Sequence, residues 1–183
     1  MALMTSSLAY LTGDIPGSGG VIKQRPEDFV VQELPLYEPC GRGEHLYLCI
    51  EKRSRTTTST IRRLAKVFGV RRSDVGYAGL KDKHAIARQH FSIYLPDRTG
   101  EAKGLSRIEY TPLKLLWANR HTNKLRRGHL VGNRFVIYVR EVDPAAAIHM
   151  KTVLDRLART GVPNFVGEQR FGYRQNNHLL GQY

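Results

Sequence analysis

Polar and apolar residues alternate singly through "GEHLYLCIEKR". Leu46, Leu48 and Ile50 fall on one side, and Tyr47, Cys49 and Glu51 on the other. A period of two sends successive side chains to opposite faces, so this stretch predicts a half-buried β-strand. "RQHFSIYLP" has the same pattern, with Phe91, Ile93 and Leu95 set against His90, Ser92 and Tyr94. Upstream, Val21 and Ile22, then Phe29, Val30 and Val31, predict short strands interrupted at Arg25-Pro26, because proline gives no ladder hydrogen bond. "PLKLLWANR" and "RFVIYVREV" read as further strands.

The period changes in "TTTSTIRRLAKVFGV". Ile61, Leu64, Ala65 and Phe68 recur at helical spacing and make one apolar face. Thr58 or Ser59 is expected to cap the start, and Gly69 to end the helix. "DPAAAIHMKTVLDRLARTGVP" predicts a second helix, capped by Asp143 with Pro144 in its first turn. Ala147, Met150, Leu154, Leu157 and Ala158 line its apolar side, and Gly161 and Pro163 stop it. Strands and helices in this order, without regular alternation, predict a mixed α+β domain.

The length of 183 residues suits one domain with a sizeable core. Charge changes the picture more. Lys and Arg number 29 against 16 acids, a net charge of +13. A field of that sign draws polyanions, which makes nucleic acid the first partner to consider. Arg62, Arg63 and Lys66 lie on the outward side of the first helix, close in sequence to Lys52, Arg53, Arg55, Arg71 and Arg72. They form either a ridge for a nucleic-acid backbone or a solvated face.

Other classes recede. No apolar run approaches the ~20 residues of a membrane span. The N-terminal "MALMTSSLAYLTGDIPGSGG" lacks the basic start of a signal peptide and reads as a mobile arm leading into a Gly-rich turn. Cys40 and Cys49 fit a reducing compartment, and with His45 between them they lack zinc-ligand spacing. A cytoplasmic protein without a metal is the simplest reading.

Candidate chemistry concentrates in a few stretches. In "GYAGLKDKHA", Asp82 lies between Lys81 and Lys83, with His84 next. Neighbouring cations favour an ionised carboxylate, available as nucleophile or base. A charged surface turn has the same composition. Phe29 is either core or an aromatic platform for a base. "NKLRRGHLVGNRF" is densely basic, with Lys124, Arg126, Arg127, His129 and Arg134. Its Gly132-Asn133 pair, read as a loop before a strand starting at Phe135, presents an amide donor and acceptor beside an aromatic face. An ordinary β-turn is the alternative. "VPNFVGEQRFG" suits a backbone-binding loop or a domain junction.

Together, "DFVVQELPLYEPCGRGEHLYLCIEKRSRTT", "GYAGLKDKHAIARQHFSI", "NKLRRGHLVGNRF" and "GVPNFVGEQRFG" resemble, in order, the motifs of the TruD family of tRNA pseudouridine synthases. The resemblance runs from Ile22 to Gly172. It implies an α+β pseudouridine-synthase-like catalytic domain with a mixed, largely antiparallel sheet and flanking helices. It further implies isomerisation of a D-arm uridine of tRNA, at position 13, without cofactor or metal. Asp82 matches the family's catalytic aspartate, Phe29 and Phe135 match aromatic residues around the uracil, and Asn133 matches a substrate contact.

Lys81 is expected to help keep Asp82 ionised. Arg62, Arg63, Lys66, Lys124, Arg126, Arg127 and Arg134 are expected along the RNA backbone, with tRNA as partner, no membrane, and a monomer. Family members are longer than this chain. Residues 1–160 therefore read as the N-terminal part of the catalytic domain, and 161–183 as the start of an inserted domain, leaving the catalytic domain incomplete. A non-catalytic RNA-binding module that keeps the basic surface is the alternative. A ribosome-associated or RNA-chaperone-like basic protein fits the ordered motifs less well.

Overall fold

The computed structural model describes residues 10–163 and Asn176. Six strands form: β1 (Phe29–Pro35), β2 (His45–Arg53), β3 (Val75–Tyr77), β4 (Ile86–Tyr94), β5 (Leu113–His121) and β6 (Leu130–Ile137), of which β2 and β4 are the alternating stretches and β3 is not among those expected. Helices α1 (Thr57–Phe68), α2 (Glu101–Ile108) and α3 (Ala147–Thr160) lie between or after them. The strands form one six-stranded sheet in the order β5-β2-β4-β1-β6, with β3 added on β4. Only the β1–β4 ladder is parallel. The fold is thus the expected mixed, largely antiparallel α+β arrangement.

β4 is the centre of this sheet. One of its edges pairs with β2 from Ile86 to Tyr94. Its other edge is shared. β1 takes Ile86 to Arg88, and β3 takes Phe91 to Ile93. Between the two short ladders lies a gap at Gln89 and His90. There the His90 N–H donates to a side chain, Glu33 Oε1, at 3.1 Å. The chain that crosses from β3 to β4 contains Asp82.

α1 packs its apolar face on one side of the sheet, where Leu46, Leu48, Ile50, Leu64, Phe91 and Ile93 share one core. Its N-cap is Thr56 rather than Thr58 or Ser59: Thr56 Oγ1 accepts from Ser59 N–H at 3.1 Å. Gly69 ends it in the left-handed region at φ 70°, as its position predicts. The expectation that β2 is half buried fails. Tyr47 and Cys49 are buried as well, because Tyr37, Trp117, Leu125 and Leu130 supply a second, smaller core around Tyr47. α2 is short, and its apolar face is only Ala102, Leu105 and Ile108, too brief a pattern to stand out in the sequence. It exists because Gly104 lets it lie against the Phe68 ring, where any Cβ would collide.

The "NKLRRGHLVGNRF" stretch also differs from expectation. β6 begins at Leu130, not Phe135, so Gly132 and Asn133 are strand residues opposite Leu34 and Glu33 rather than a turn. Alternation is hidden in this segment because β6 is an edge strand among the described residues, exposed at Val131, Phe135, Val136 and Ile137.

The chain divides into two compact units. Gly20–Glu141 contains the sheet, α1 and α2. The other unit comprises Met1–Gly19 and Val142–Tyr183 and contains α3. Asp143 does cap, but at a short 3-10 turn, Pro144–Ala146, which leads into α3: its Oδ1 accepts from Ala145 N–H at 2.9 Å. Within this unit Arg156 forks onto Asp14. The start of the N-terminal arm, most of "VPNFVGEQRFG" and most of the expected inserted-domain segment lie outside the described residues.

Candidate active site

The segment 78–85 is held from below by buried polar groups. Gln89 Nε2 donates to Gly79 O at 2.6 Å, and Thr57 Oγ1 both accepts from Lys81 N–H at 3.0 Å and donates to Gln89 Oε1 at 3.0 Å. Gly128 N–H bonds Ala78 O at 2.8 Å, and Ser54 N–H bonds Ala85 O at 3.1 Å. Just before the segment, Gly76 lies so close to Leu125 O and Ser92 Oγ that a Cβ there would collide. The sequence places a loop here; buried Thr57 of α1 and Gln89 of β4, with Gly128 in the turn before β6, anchor it.

On this support the Asp82 side chain is 53% exposed. Its ion-pair partner is Lys23, with Nζ to Oδ2 3.4 Å. Lys23 Nζ also stands 4.0 Å from the centroid of the Phe29 ring, a cation–π distance. The Lys23 backbone is itself left-handed, at φ 61°. Its segment is fastened at both ends. Val21 bridges to Arg140, and Arg140 forks onto the buried Asp28 at 2.7–2.9 Å. Hydrogen bonds from the Arg140 guanidinium hold the Asp28 carboxyl below its usual range.

Lys81, the neighbour expected to help keep Asp82 ionised, makes its own ion pair elsewhere. Its ammonium turns inward to Glu33, with Nζ to Oε2 2.5 Å and both side chains buried. Glu33 also accepts from His90 N–H and stands 3.2 Å from His90 Nδ1. Burial pushes the Glu33 carboxyl up, but the His90 and Lys81 hydrogen bonds outweigh it and leave the group below its ordinary value. This carboxylate fills the gap between the β1 and β3 ladders and anchors the Asp82 loop at the same time.

The strand pairings gather the aromatic and amide candidates. Val31 is opposite Phe135, Glu33 opposite Asn133 and Phe29 opposite Ile137. With a side-chain period of two, Phe29, Glu33, Asn133 and Phe135 share one face. The Phe29 and Phe135 rings meet diagonally, centroids 5.6 Å apart and tilted by 55°. Phe29 is 8% exposed and Phe135 51%. Phe29 is therefore core and Phe135 a presented ring, the first backing the second. Arg134 is exposed opposite Gln32.

The basic residues fall in separate places. Arg62, Arg63 and Lys66 are exposed on α1. Lys124, Arg126 and Arg127 line an open groove with Val75, Gly76 and Tyr77. Lys124 donates to Ser73 O, and Arg127 donates to Tyr77 Oη at 2.9 and 3.2 Å. No three His, Cys, Asp or Glu side chains gather as metal ligands among the described residues. No helix among them is long and apolar enough to cross a membrane.

Sequence reasoning misses Lys23, Glu33 and Lys52. Lys23 and Glu33 carry no local signal, since their partners are distant in the chain. Lys52 does have one. It continues the Leu46, Leu48, Ile50 side of β2, where a core residue is called for. Burial, helped by the nearby Lys81 charge and opposed by Asp82, lowers its ammonium to about 8.

Fold and site define a class: a mixed-sheet α+β domain that sets a partly exposed carboxylate on an anchored loop, beside an ammonium and a pair of aromatic rings. The family model described as tRNA pseudouridine synthase D (TruD) matches residues 6–183. A tRNA pseudouridine synthase D of Geobacter sulfurreducens is 51% identical over 174 residues, covering 94% of this chain and 41% of the relative. One from Thermus thermophilus is 48% identical over 172 residues, covering 94% of this chain and 47% of the relative. A solved structure from Methanosarcina mazei, titled as a tRNA pseudouridine synthase D, superposes with a TM-score of 0.81 at 33% identity, covering 95% of this chain and 40% of that one. The chain belongs to the TruD family. It spans about two fifths or a little more of the length of these curated relatives.

Proposed function

We propose that this chain is the part of a tRNA pseudouridine synthase that carries the catalytic carboxylate, Asp82, and that its substrate is a D-arm uridine of tRNA at position 13. The observation that carries the reading is the Asp82 carboxylate itself: partly exposed, and paired with Lys23, whose ammonium also stands over the Phe29 ring that packs against Phe135.

The reaction breaks C1′–N1 of the uridine, turns the uracil over and forms C1′–C5; C5 loses its proton and N1 gains one, so the atoms balance. It is an isomerisation, so no oxidant or group donor enters the balance. The carboxylate serves as a nucleophile at C1′ or C6, or as a base on the sugar. The base leaves its stack at a cost of a few kcal/mol, and stacking on Phe135 at ~1–3 kcal/mol offsets this. The Asn133 amide, on the same face, offers donor and acceptor to the uracil edge. Arg134, Lys124, Arg126 and Arg127, with the α1 cations, hold phosphates. Residues 161–183 begin the inserted domain in this reading, and the enzyme works as a cytoplasmic monomer.

The test is a single-turnover assay with unmodified tRNA transcript and the full-length gene product. We expect pseudouridine with the native protein and none with Asp82→Ala. Equal product from both would sink the assignment. A second reading, RNA binding without turnover by residues 1–183 alone, is favoured by one observation. Among the described residues the outer edge of β6, which carries Phe135, pairs with no strand. Assaying both lengths side by side separates the two, since salt-sensitive binding without product is then expected of the shorter chain alone.

A further inference from the structure

Leu46, Leu48, Ile50 and Lys52 follow one another on the same side of β2, and all are buried; Lys52 is 1% exposed. An ion in that place is costly unless matched. The ammonium has no carboxylate at ion-pair distance among the described residues. Its hydrogen-bond partners are main-chain carbonyls, Arg55 O at 2.5 Å and Asp82 O at 3.4 Å. Replacement of a buried charge by an apolar isostere is often neutral or stabilising, so stability alone does not account for a lysine here.

What the lysine touches does account for it. The other groups that hold the 78–85 segment grip its flanks, at Ala78, Gly79, Lys81 and Ala85. Asp82 is gripped from within only by Lys52 among the described residues. The contact to Asp82 O is long, at 3.4 Å, so it biases rather than fixes the backbone rotation at that residue, and with it the direction of the Cα–Cβ bond.

We propose that Lys52 is a positioning residue for the reaction. Its ammonium, bound to the carbonyls of Arg55 and Asp82 beneath the loop, aims the Asp82 carboxylate at the substrate side. The inference rests on the reading of Asp82 as the catalytic group. Lys52 itself touches no RNA. Its contribution is geometric, of the kind in which an ångström of misplacement costs on the order of 100-fold in rate.

The experiment uses the full-length gene product with Lys52→Met and Lys52→Gln, alongside Asp82→Ala. Four quantities are read: the single-turnover rate constant on unmodified tRNA transcript, the Kd for that transcript, the melting midpoint, and amide hydrogen exchange across 81–85. For Lys52→Met we expect a rate about 10- to 100-fold lower, a Kd within about twofold, and a melting midpoint unchanged or raised. Exchange at 81–85 accelerates while that of β2 stays as it was. Lys52→Gln, which is too short to reach both carbonyls, behaves alike.

An unchanged rate overturns the proposal. So does a rate loss matched by an equal loss of affinity, or unfolding of both variants at the assay temperature, either of which makes Lys52 a folding residue only. Should only Lys52→Met unfold, Lys52→Gln decides by the same criteria. Turnover that survives Asp82→Ala sinks the reading of Asp82 as well. Turnover lost in Asp82→Ala but intact in Lys52→Met overturns this proposal alone.

Discussion

Lys23 and Asp82 are 59 residues apart in the chain and 3.4 Å apart at their charged atoms. Both side chains are partly exposed, at 33% and 53%. Exposed ion pairs contribute little to stability, about 0–1 kcal/mol. The pair is better understood through what it orients: an ammonium that touches the carboxylate on one side and the Phe29 ring on the other. We expect Lys23→Met in the full-length gene product to leave the unfolding free energy within about 1 kcal/mol and to slow single-turnover pseudouridine formation at least tenfold. Denaturant titration and the turnover assay together check this. A protein that melts early but turns over normally would make the pair a structural one.

The two rings of the Phe29–Phe135 pair have different duties and so different mutational signatures. Phe135 is half exposed, and its truncation removes a stacking surface at little cost to the fold. Loss of ~1–3 kcal/mol of base stacking predicts a turnover rate about 5- to 150-fold lower. Phe29 is buried, and truncation of a buried Phe costs about 3–5 kcal/mol of stability. Melting curves should therefore move strongly for Phe29→Ala and hardly for Phe135→Ala. Equal melting shifts would return both residues to core packing.

Glu33 predicts a pH dependence. Its folded carboxyl lies below its ordinary value, so the unfolded chain binds the proton more readily. The stabilisation it gives is complete above the unfolded value, near 4.5, and is lost as pH falls through the lower folded one. Glu33→Gln leaves the buried Lys81 without its counter-ion. We expect a loss of about 3–5 kcal/mol at neutral pH, shrinking as pH is lowered below the mid-fours. Urea denaturation at several pH values reads the difference between the two proteins. A gap that stays constant down to acid pH would contradict the role of the carboxylate.

Salt dependence of binding tests the basic surfaces. Each phosphate contact that is removed lowers the slope of log K against log salt by about 0.7–0.9. Neutralising Lys124, Arg126 and Arg127 together should flatten the slope for tRNA accordingly, read by filter binding across a salt series. The same measurement on Arg62, Arg63 and Lys66 discriminates a backbone ridge on α1 from a solvated face. A slope that no substitution changes would leave these cations outside the interface.

Local pattern by itself determined much of this protein. Period two marked β2 and β4, helical spacing marked α1 and its end at Gly69, and the "GYAGLKDKHA" loop and the basic run stood out by composition. These features rest on interactions between residues near one another in the chain, and such interactions leave a periodic or compositional trace. Tertiary structure alone decided which cation meets Asp82. Lys81, its neighbour, is drawn inward by Glu33, while Lys23 arrives from a segment fastened by Arg140. It also decided that Tyr47 and Cys49 are buried, that Gly132 and Asn133 lie in a strand, and that Lys52 sits beneath the loop. Each of these depends on which strands become neighbours in the sheet. That is settled by contacts between distant segments, for which the single sequence carries no local pattern.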